Sequence, residues 1–319
     1  MLVVASISGF IQYLVDGFIN GSAYGLLGLS FGLIVAVTGR FHFAWAASYA
    51  IAGFFATWLA NKQGLAPVPA VVVAIAGAIV FGCLCELLLY RPIGRRLGPQ
   101  ALLAIFVASF GVTIAVGNLI SWIVGNAEGA DTLTWISTTS QHIGKITFTT
   151  LDVIWVASVW ALGIATWALL RFTPLGRRIR AVQANEEMSE AVGINPGRTY
   201  IVVFAIASLL GGWAAVLTAM KYAGTPSMGL TPVFYAFVVA FAAGLGRSPL
   251  RIMVVGTLLG VVEGASAQVL NVNWQQVVVF AILLAYLVAK AAYAWRPRMF
   301  SALRPRRLAA TAATTVQGG

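Results

Sequence analysis

Long apolar runs, each bounded by glycine, proline or charged residues, follow one another along the chain. A helix needs about 20 mostly apolar residues to cross the hydrocarbon core of a bilayer, and an open backbone in lipid would leave its polar groups unsatisfied. The pattern therefore predicts an all-α polytopic integral membrane protein with about eight to nine transmembrane helices. The predicted spans are residues 10–37, 41–60, 67–90, 101–125, 151–170, 200–220, 232–246, 251–270 and 275–294.

The segments between the spans differ in length and character. About three residues separate the first two spans, so residues 38–50 are a candidate for a broken or re-entrant segment. The longest predicted external loop, 126–150, is polar and rich in threonine and serine. We assign residues 1–295 to one transmembrane domain, and we expect the basic tail, 296–319, to be disordered.

The composition excludes several classes of protein. Hydrophobic residues make up 60% of the 319 residues and charged residues 9%, whereas a soluble domain carries about 25% charged residues. A disordered protein, a secreted disulfide scaffold and an ordinary soluble enzyme are therefore excluded. Cys83 and Cys85 are two positions apart in one apolar segment. Because residues so spaced do not face each other on a helix, neither a disulfide nor a metal pair is expected.

Positive charge predicts the orientation in the membrane. The loops and tail that we assign to the cytoplasm hold 17 of the 20 basic residues, and the opposite ends hold only Lys62, Lys145 and Lys221. This bias places the N-terminus outside and the C-terminus in the cytoplasm. We attribute the net charge of +11 to this bias, with the arginines of the tail near anionic lipid head groups, rather than to nucleic-acid binding.

The chain lacks the residue patterns of an enzyme that works on its own. Its two histidines, His42 and His142, form no cluster, and no HExxH motif or acid-rich metal motif is present. The sequence has no glycine-rich Walker loop, so the chain does not itself hydrolyse a nucleotide. We therefore expect no metal or cofactor in this chain. The energy for any transport would come from an ion gradient or from another subunit.

The cytoplasmic loop 171–198 has the sequence signals of a short helix. Asn185 is a predicted N-cap, Glu186 and Glu187 suit a first helical turn, and Gly193 suits a C-terminal cap. Such a helix would have an apolar side and an acidic side, and it could dock into a groove on a soluble partner. A solvated amphipathic connector is the alternative. The candidate residues of this loop are Arg180, Asn185, Glu186, Glu187, Met188, Glu190 and Gly193.

Two glycine triplets with a spacing of four residues predict close helix packing. Small residues at this spacing let two membrane helices approach each other closely. The packing could be static within one subunit, or the helices could slide during gating. The triplets are Gly17, Gly21 and Gly25 in the first span and Gly256, Gly260 and Gly264 in the eighth.

Two carboxylates fall within predicted spans. Glu263 lies in the eighth span, where a buried carboxylate is costly and marks either a polar contact in a translocation path or a hydrogen bond that holds a helix break. The two interpretations carry equal weight. Glu86, near the cytoplasmic end of the third span, is expected to pair with Arg91 or Arg95.

Four stretches, in order, resemble the permease subunits of ATP-driven branched-chain amino acid importers, the LivH-like and LivM-like proteins, with LivH the nearer type. The resemblance covers about residues 10–290. The matching residues include Gly17, Gly21, Ser22, Tyr24 and Phe43; Thr173, Gly176, Arg180, Glu187 and Gly193; Pro226, Gly229, Ala236, Phe237, Gly244 and Gly246; and Ser248, Gly256, Gly260 and Glu263.

The sequence departs from the family pattern at several membrane positions. His42 and Ala46 stand at the two ends of the family's NFAHG motif, with Trp45 in place of its histidine, and Tyr235 replaces the lysine of its KAF motif. The membrane motifs are altered more than the cytoplasmic loop. We therefore expect ATPase coupling to be retained, and we leave the transported solute open.

The resemblance implies a mechanism and a set of partners. Two permeases, this chain with a LivM-like partner or with itself, would line a path in the bacterial inner membrane. Two cytoplasmic ATPase subunits would bind ATP and Mg²⁺, and an external binding protein would deliver the solute. The loop of residues 185–193 would couple the ATPases to the spans. The pathway or gate candidates are His42, Phe43, Trp45, Gly244, Gly246 and Glu263.

Two other functions remain as alternatives. A self-sufficient secondary transporter or channel would work without an ATPase and would carry ionisable groups on several spans, for which Glu263 alone is thin support. An intramembrane enzyme would need a metal or acid cluster, which the sequence does not contain.

Overall fold

The computed structural model describes residues 7–124, 133, 139–143, 146–267, 274, 277–282, 284–285 and 288–289. Residues 1–279 form one unit, and residues 280–319 form a second unit whose described residues are helical. The predicted ninth span, 275–294, is described at half of its positions, which are helical, and the predicted tail, 296–319, lies entirely outside the described residues.

The described residues of the first unit are almost all helical, which confirms the predicted fold class. The helices are α1 (Ile7–Thr38), α2 (Trp45–Asn61), α3 (Pro67–Leu84), α4 (Arg91–Leu97), α5 (Ala101–Val124), α6 (Thr150–Phe172), α7 (Pro174–Ala184), α8 (Glu186–Ala191), α9 (Pro196–Tyr222), α10 (Leu230–Ala243) and α11 (Pro249–Ser266). A π-helical turn, Cys85–Tyr90, makes α3 and α4 continuous, and a 3₁₀ turn, Gly98–Gln100, leads into α5.

Six of the described helical segments are long and apolar enough to cross a membrane. They correspond to six of the nine predicted spans, and the third predicted span extends through α4 to Leu97. Two further predicted spans are shorter helices, α2 with 17 residues and α10 with 14. At about 1.5 Å per residue, α10 extends only about 21 Å, which is less than the hydrocarbon core.

The predicted external loop contains a small β-hairpin that the sequence analysis did not anticipate. Strands β1 (Ser140–Ile143) and β2 (Ile146–Thr149) pair antiparallel. Gln12 of α1 exchanges two hydrogen bonds of 2.9 Å with the backbone of Thr147. Thr149 then begins α6 with a capping box, in which its hydroxyl and backbone amide bond reciprocally with Asp152. The hairpin is thus fixed between the predicted external ends of α1 and α6.

Helix α1 lies at the centre and packs against α6, α9, α10 and α11. Its closest neighbour is α11, because the two glycine triplets face each other. A Cβ on Gly21 would lie 2.5 Å from the carbonyl oxygen of Thr257, and a Cβ on Gly17 would lie 2.6 Å from that of Gly260. The structure thus places the six glycines in one backbone-to-backbone contact.

The backbone is irregular between α9 and α10, where it runs alongside α2. Ala223 has a φ of +71° and ends α9. Gly224 then lies against Thr57, and Gly229 lies against the backbone of Ala46. Because Ala46 and Thr57 are eleven positions apart on one helix, the segment descends about 16 Å along α2 before α10 begins. We call residues 223–229 the descending segment.

Candidate functional site

A carboxylate that pairs with no cation among the described residues lies where α1, α10 and α11 meet. Glu263, which is 9% exposed, accepts a hydrogen bond of 2.6 Å from the hydroxyl of Tyr235. The ring of Tyr235 stacks on Tyr24 of α1, with centroids 4.3 Å apart. Glu263 also lines a cavity of about 170 Å³ together with Asp16 and Asn20, which we call the glutamate cavity.

A larger cavity, of about 370 Å³, is lined by both stacked tyrosines, and we call it the outer cavity. Tyr24 and Asn20 line both cavities. The other residues of the outer cavity come from α1, α2, α6, α9, α10 and the descending segment. They are Ala23, Leu27, Tyr49, Trp155, Thr218, Tyr222, Met228, Thr231, Pro232 and Tyr235. Irregular backbone is tolerated at membrane depth where it lines such a cavity.

An ion pair joins α6 and α9 beside the outer cavity. Lys221, in the last turn of α9, donates to Asp152 of α6 at 2.7 Å. The same ammonium lies 5.5 Å from the ring centroid of Trp155 and 5.7 Å from that of Tyr222. The sequence analysis missed this pair. A lone lysine on the external side and an acid at the first turn of the neighbouring span were the available signal.

The predicted gate residues 42–45 are packed in the interior. His42 and Trp45 are 0% exposed. Nδ1 of His42 lies 2.5 Å from the hydroxyl of Tyr90. The indole of Trp45 donates to Ser30 at 2.7 Å. Phe43 lies within an aromatic cluster with Phe31, Phe41, Phe106, Phe110, Phe234, Phe237 and Phe241. Residues 39–44 are non-helical and turn the chain back into the bundle, and their role as a gate stays a prediction.

The glycines after α10 lie on the predicted cytoplasmic side, away from Glu263. Gly244 and Gly246 have φ values of +88° and +74°, which favour glycine. A Cβ on Gly246 would lie 2.5 Å from the side-chain nitrogen of Gln183 on α7. The six gate candidates therefore do not form one site. Instead, Gly246 connects the α10–α11 loop with the cytoplasmic helices.

The predicted coupling loop folds as two helices rather than one. The sequence analysis missed α7, whose face of Gly176, Ile179 and Val182 is buried. Arg180 lies on its exposed side. Asn185 caps α8 by accepting a 2.9 Å hydrogen bond from the backbone amide of Met188. Gly193, with a φ of +83°, follows the helix. The local structure of residues 185–193 therefore agrees with the predicted N-cap and the predicted C-terminal glycine.

The apolar residues of α8 face away from the protein. Met188 is 68% exposed and Val192 is 74% exposed, whereas Ser189 on the opposite side is buried. Glu186, Glu187 and Glu190 are also exposed. The surface of α8 thus carries apolar and acidic groups together, as an interface for another protein would require.

A second buried carboxylate connects three elements at the predicted cytoplasmic end. Glu86, in the π-helical turn, is 0% exposed and forms an ion pair with Arg40, which follows α1. Its other oxygen lies 3.5 Å from Nε of Arg91. Arg91 in turn donates to the carbonyl of Gly197 in α9. The predicted pairing with Arg91 is confirmed, and Arg40 is the partner that the sequence analysis did not anticipate.

These charged residues line a cavity of about 740 Å³, which we call the cytoplasmic cavity. Glu186 and Glu190 of α8 lie on its wall, together with Arg95 and Tyr200. Residues from three separate predicted cytoplasmic segments thus meet at one end of the bundle. The hairpin and the Lys221–Asp152 pair are both predicted to be external. They lie at the opposite end of the bundle from the cytoplasmic cavity.

Comparison with known proteins supports the resemblance stated above. Residues 13–287 match the family described as branched-chain amino acid transport system / permease component. The high-affinity branched-chain amino acid transport permease LivH of Salmonella typhimurium is 26% identical over 298 residues, which cover 88% of this chain and 93% of that protein. BraD of Pseudomonas aeruginosa, a permease with the same description, is 29% identical over 294 residues and has the same coverage.

A relative with a different printed solute also matches. The ribose import permease RbsC of Escherichia coli is 27% identical over 271 residues, covering 82% of this chain and 76% of that protein. No solved structure is significantly similar to the chain. The family match begins within α1 and continues past α11, and it includes every residue that lines the three cavities as well as α8. The chain is therefore a multi-pass membrane protein that belongs to the branched-chain amino acid transport permease family.

Proposed function

We propose that the chain is the permease subunit of an ATP-binding-cassette importer for branched-chain or related amino acids. The family match over residues 13–287 carries this proposal. An external binding protein delivers the solute, and two separate cytoplasmic ATPase subunits bind and hydrolyse ATP with Mg²⁺. This chain is non-catalytic. It pairs with a LivM-like permease or with itself in the bacterial cytoplasmic membrane, and it does not bind nucleic acid.

The α7–α8 pair is the element that we assign to ATPase coupling. Two exposed apolar side chains, Met188 in the six-residue helix α8 and Val192 directly after it, favour a covering partner. The helix pair follows α6 directly and leads through the Asn195 cap into α9. Gly176 of α7 also lies against the last carbonyl groups of α6. Movement of a bound ATPase would thus reach two membrane helices, and ATP shifts the permease between states only if it favours one of them.

Domain organisation follows from the same assignment. Residues 1–295 form the permease domain, with 171–198 as the coupling loop and 126–150 as the external loop. Residues 296–319 form a basic cytoplasmic tail at the lipid surface. Among the gate candidates, Glu263 has the strongest support because it lines a cavity. The aromatic cluster around Phe43 and the loop at Gly244 are proposed to close the path on the cytoplasmic side of that cavity.

The test is isolation of the complex from its native membrane in mild detergent, followed by reconstitution. We expect the chain to co-purify with an ATPase that carries a Walker motif. With the cognate binding protein, the complex should import leucine in an ATP-dependent manner, and ribose should not compete. Recovery of an active chain without any ATPase would instead support a secondary transporter.

A substitution in α8 tests the coupling assignment. Gly193→Asp places a charged side chain at a position with a φ of +83°, at the end of the exposed helix. We expect ATP-driven uptake to fall by at least about tenfold while membrane insertion is unchanged, measured by uptake assay and membrane yield. Gly64→Asp is the matched control, because Gly64 also has a positive φ but lies between α2 and α3. Uptake at the control level in Gly193→Asp would reject the coupling role.

A further inference from the structure

A cavity of about 430 Å³ lies between α7, the residues that follow α8 and the start of α9, and we call it the arginine groove. Its wall contains two exposed arginines, Arg178 of α7 and Arg198 of α9. Three ion pairs occur among the described residues, and none of them includes either arginine. No acidic residue lines the groove in the described part of the chain. The chain itself therefore leaves the two positive charges of this groove uncompensated.

The cytoplasmic cavity shows how the chain balances arginines at a neighbouring place. That cavity is lined by as many glutamates as arginines, three of each. The arginine groove has two arginines and no glutamate among its described lining residues. A guanidinium group stays charged at any physiological pH, and its planar set of donors matches the oxygens of a phosphate group. The contrast favours an anionic ligand from outside the chain, and a phosphate group fits the two arginines best.

The first turn of α9, which borders the groove, is already capped by its own residues. The side-chain oxygen of Asn195 accepts a 3.0 Å hydrogen bond from the backbone amide of Arg198. The hydroxyl of Thr199 donates to the carbonyl of Asn195 at 3.1 Å. Because the helix end is satisfied within the chain, the guanidinium groups are the charged donors that the groove offers to a ligand.

An apolar stripe on α9 continues from the arginine groove. Val202 lines the groove, and Ile206 and Leu209 follow it on the same side of the helix. All three are at least partly exposed, Leu209 at 40%. Because α9 is long and apolar enough to cross a membrane, this stripe runs from the predicted cytoplasmic end into the hydrocarbon core. A soluble anion or an acidic protein surface could reach the arginines but not the stripe, whereas a phospholipid matches both.

We propose that the arginine groove binds an anionic phospholipid of the cytoplasmic leaflet. Its phosphodiester lies between Arg178 and Arg198, and one acyl chain lies along the α9 stripe. Basic pockets beside membrane helices on the cytoplasmic side bind such head groups. Because the two arginines belong to α7 and α9, the bound lipid holds the first cytoplasmic helix against a membrane helix. The site goes beyond the proposed function, since it depends on the placement of the chain in the membrane and not on the transported solute.

The test uses the full chain with the subunits that co-purify with it in mild detergent. Phosphatidylglycerol is titrated in, and native mass spectrometry counts the bound lipid. Arg178→Gln combined with Arg198→Gln removes both guanidinium groups. Each basic residue at the membrane surface contributes about fivefold to the affinity for anionic lipid, so we expect binding about 25-fold weaker than wild type. Arg96→Gln with Arg177→Gln is the matched control, because it removes the same charge from exposed residues outside the groove.

A second measurement does not depend on how the arginine variant folds. Ile194→Cys, introduced with Cys83→Ala and Cys85→Ala, places a thiol on the wall of the groove. In lipid nanodiscs, phosphatidylglycerol should slow its alkylation by an uncharged maleimide at least about threefold relative to phosphatidylcholine. Met188→Cys in the same background is the control. Met188 is 68% exposed and does not line the groove, so its alkylation rate should be equal in the two lipids.

Four results would overturn the lipid site. They are equal lipid affinity of the two double variants, equal affinity of the wild type for phosphatidylglycerol and phosphatidylcholine, protection of Ile194→Cys by inorganic phosphate alone, and protection that requires a co-purifying subunit but no anionic lipid. The third result would assign the groove to a soluble anion, and the fourth would assign it to a protein interface. None of these measurements requires transport, so they stand apart from the test of the importer assignment.

Discussion

Glu86 and Glu263 are both buried carboxylates in membrane helices, but they have opposite kinds of neighbours. Glu86 is paired with two arginines and lies where α1, the π-helical turn and α9 are joined. Glu263 has the neutral hydroxyl of Tyr235 as its partner and lies beside open space. A carboxylate surrounded by cations stabilises one arrangement of helices. A carboxylate with neutral donors next to a cavity is available to respond to a solute, and intramembrane acids are rare without such a reason.

The largest effect should come from removing the charge of Glu86. Glu86→Gln leaves Arg40 and Arg91 without their counter-charge, and breaking a buried pair in this way destabilises by about 3–5 kcal/mol. We expect a lower melting temperature of the detergent-solubilised chain and a lower membrane yield. Glu187→Gln on the exposed face of α8 is the control and should stay within about 0.5 kcal/mol of wild type. Equal stability of the two variants would mean that the Glu86 pairs do not hold the helices together.

An intermediate effect is expected at Tyr235. Tyr235→Phe removes the hydroxyl that donates to Glu263 at 2.6 Å, and a buried acceptor that loses its donor is destabilised by about 1–3 kcal/mol. The melting temperature should fall by less than in Glu86→Gln. Tyr222→Phe provides the comparison because Tyr222 is 60% exposed. If Tyr235→Phe were as stable as this control, the hydrogen bond would not be what holds Glu263.

The smallest change in stability should follow Glu263→Gln. The amide keeps the shape of the side chain and can still accept from Tyr235, so we expect a loss below about 1 kcal/mol. Transport should nevertheless fall severalfold if the carboxylate serves the path, as measured by leucine uptake per assembled complex. An unassembled complex would favour the structural interpretation, in which Glu263 holds the helices at a break.

The features that the sequence predicted well are local or periodic. The capping of α8 by Asn185 depends only on residues within one turn. The contact between the glycine triplets is predicted by their spacing of four residues. The long apolar runs predicted six helices that are long enough to cross a membrane. Each of these signals is contained within a few turns of one segment, so it can be recognised without knowledge of the neighbouring helices.

The features that were missed depend on partners far apart in the chain. Arg40 and Glu86 are 46 positions apart, and Asp152 and Lys221 are 69 apart. The family pattern drew attention to His42 and Trp45, yet their side chains are enclosed in the core. The hairpin strands have four residues each, too few to show an alternating pattern. Trp155 could not be distinguished from nine other tryptophans until the cavity was visible.

The contact between α1 and α11 has a consequence for biogenesis. The first helix of the chain packs most closely against a helix that is synthesised after nearly all of the described membrane domain. During insertion, the glycine face of α1 must therefore wait in the bilayer or at the insertion machinery until α11 emerges. Contacts of such long sequence separation form late, and partly made chains present an unsatisfied surface in the meantime. A chain truncated before residue 249 should therefore be recognised by membrane proteases, even though its earlier helices are already in place.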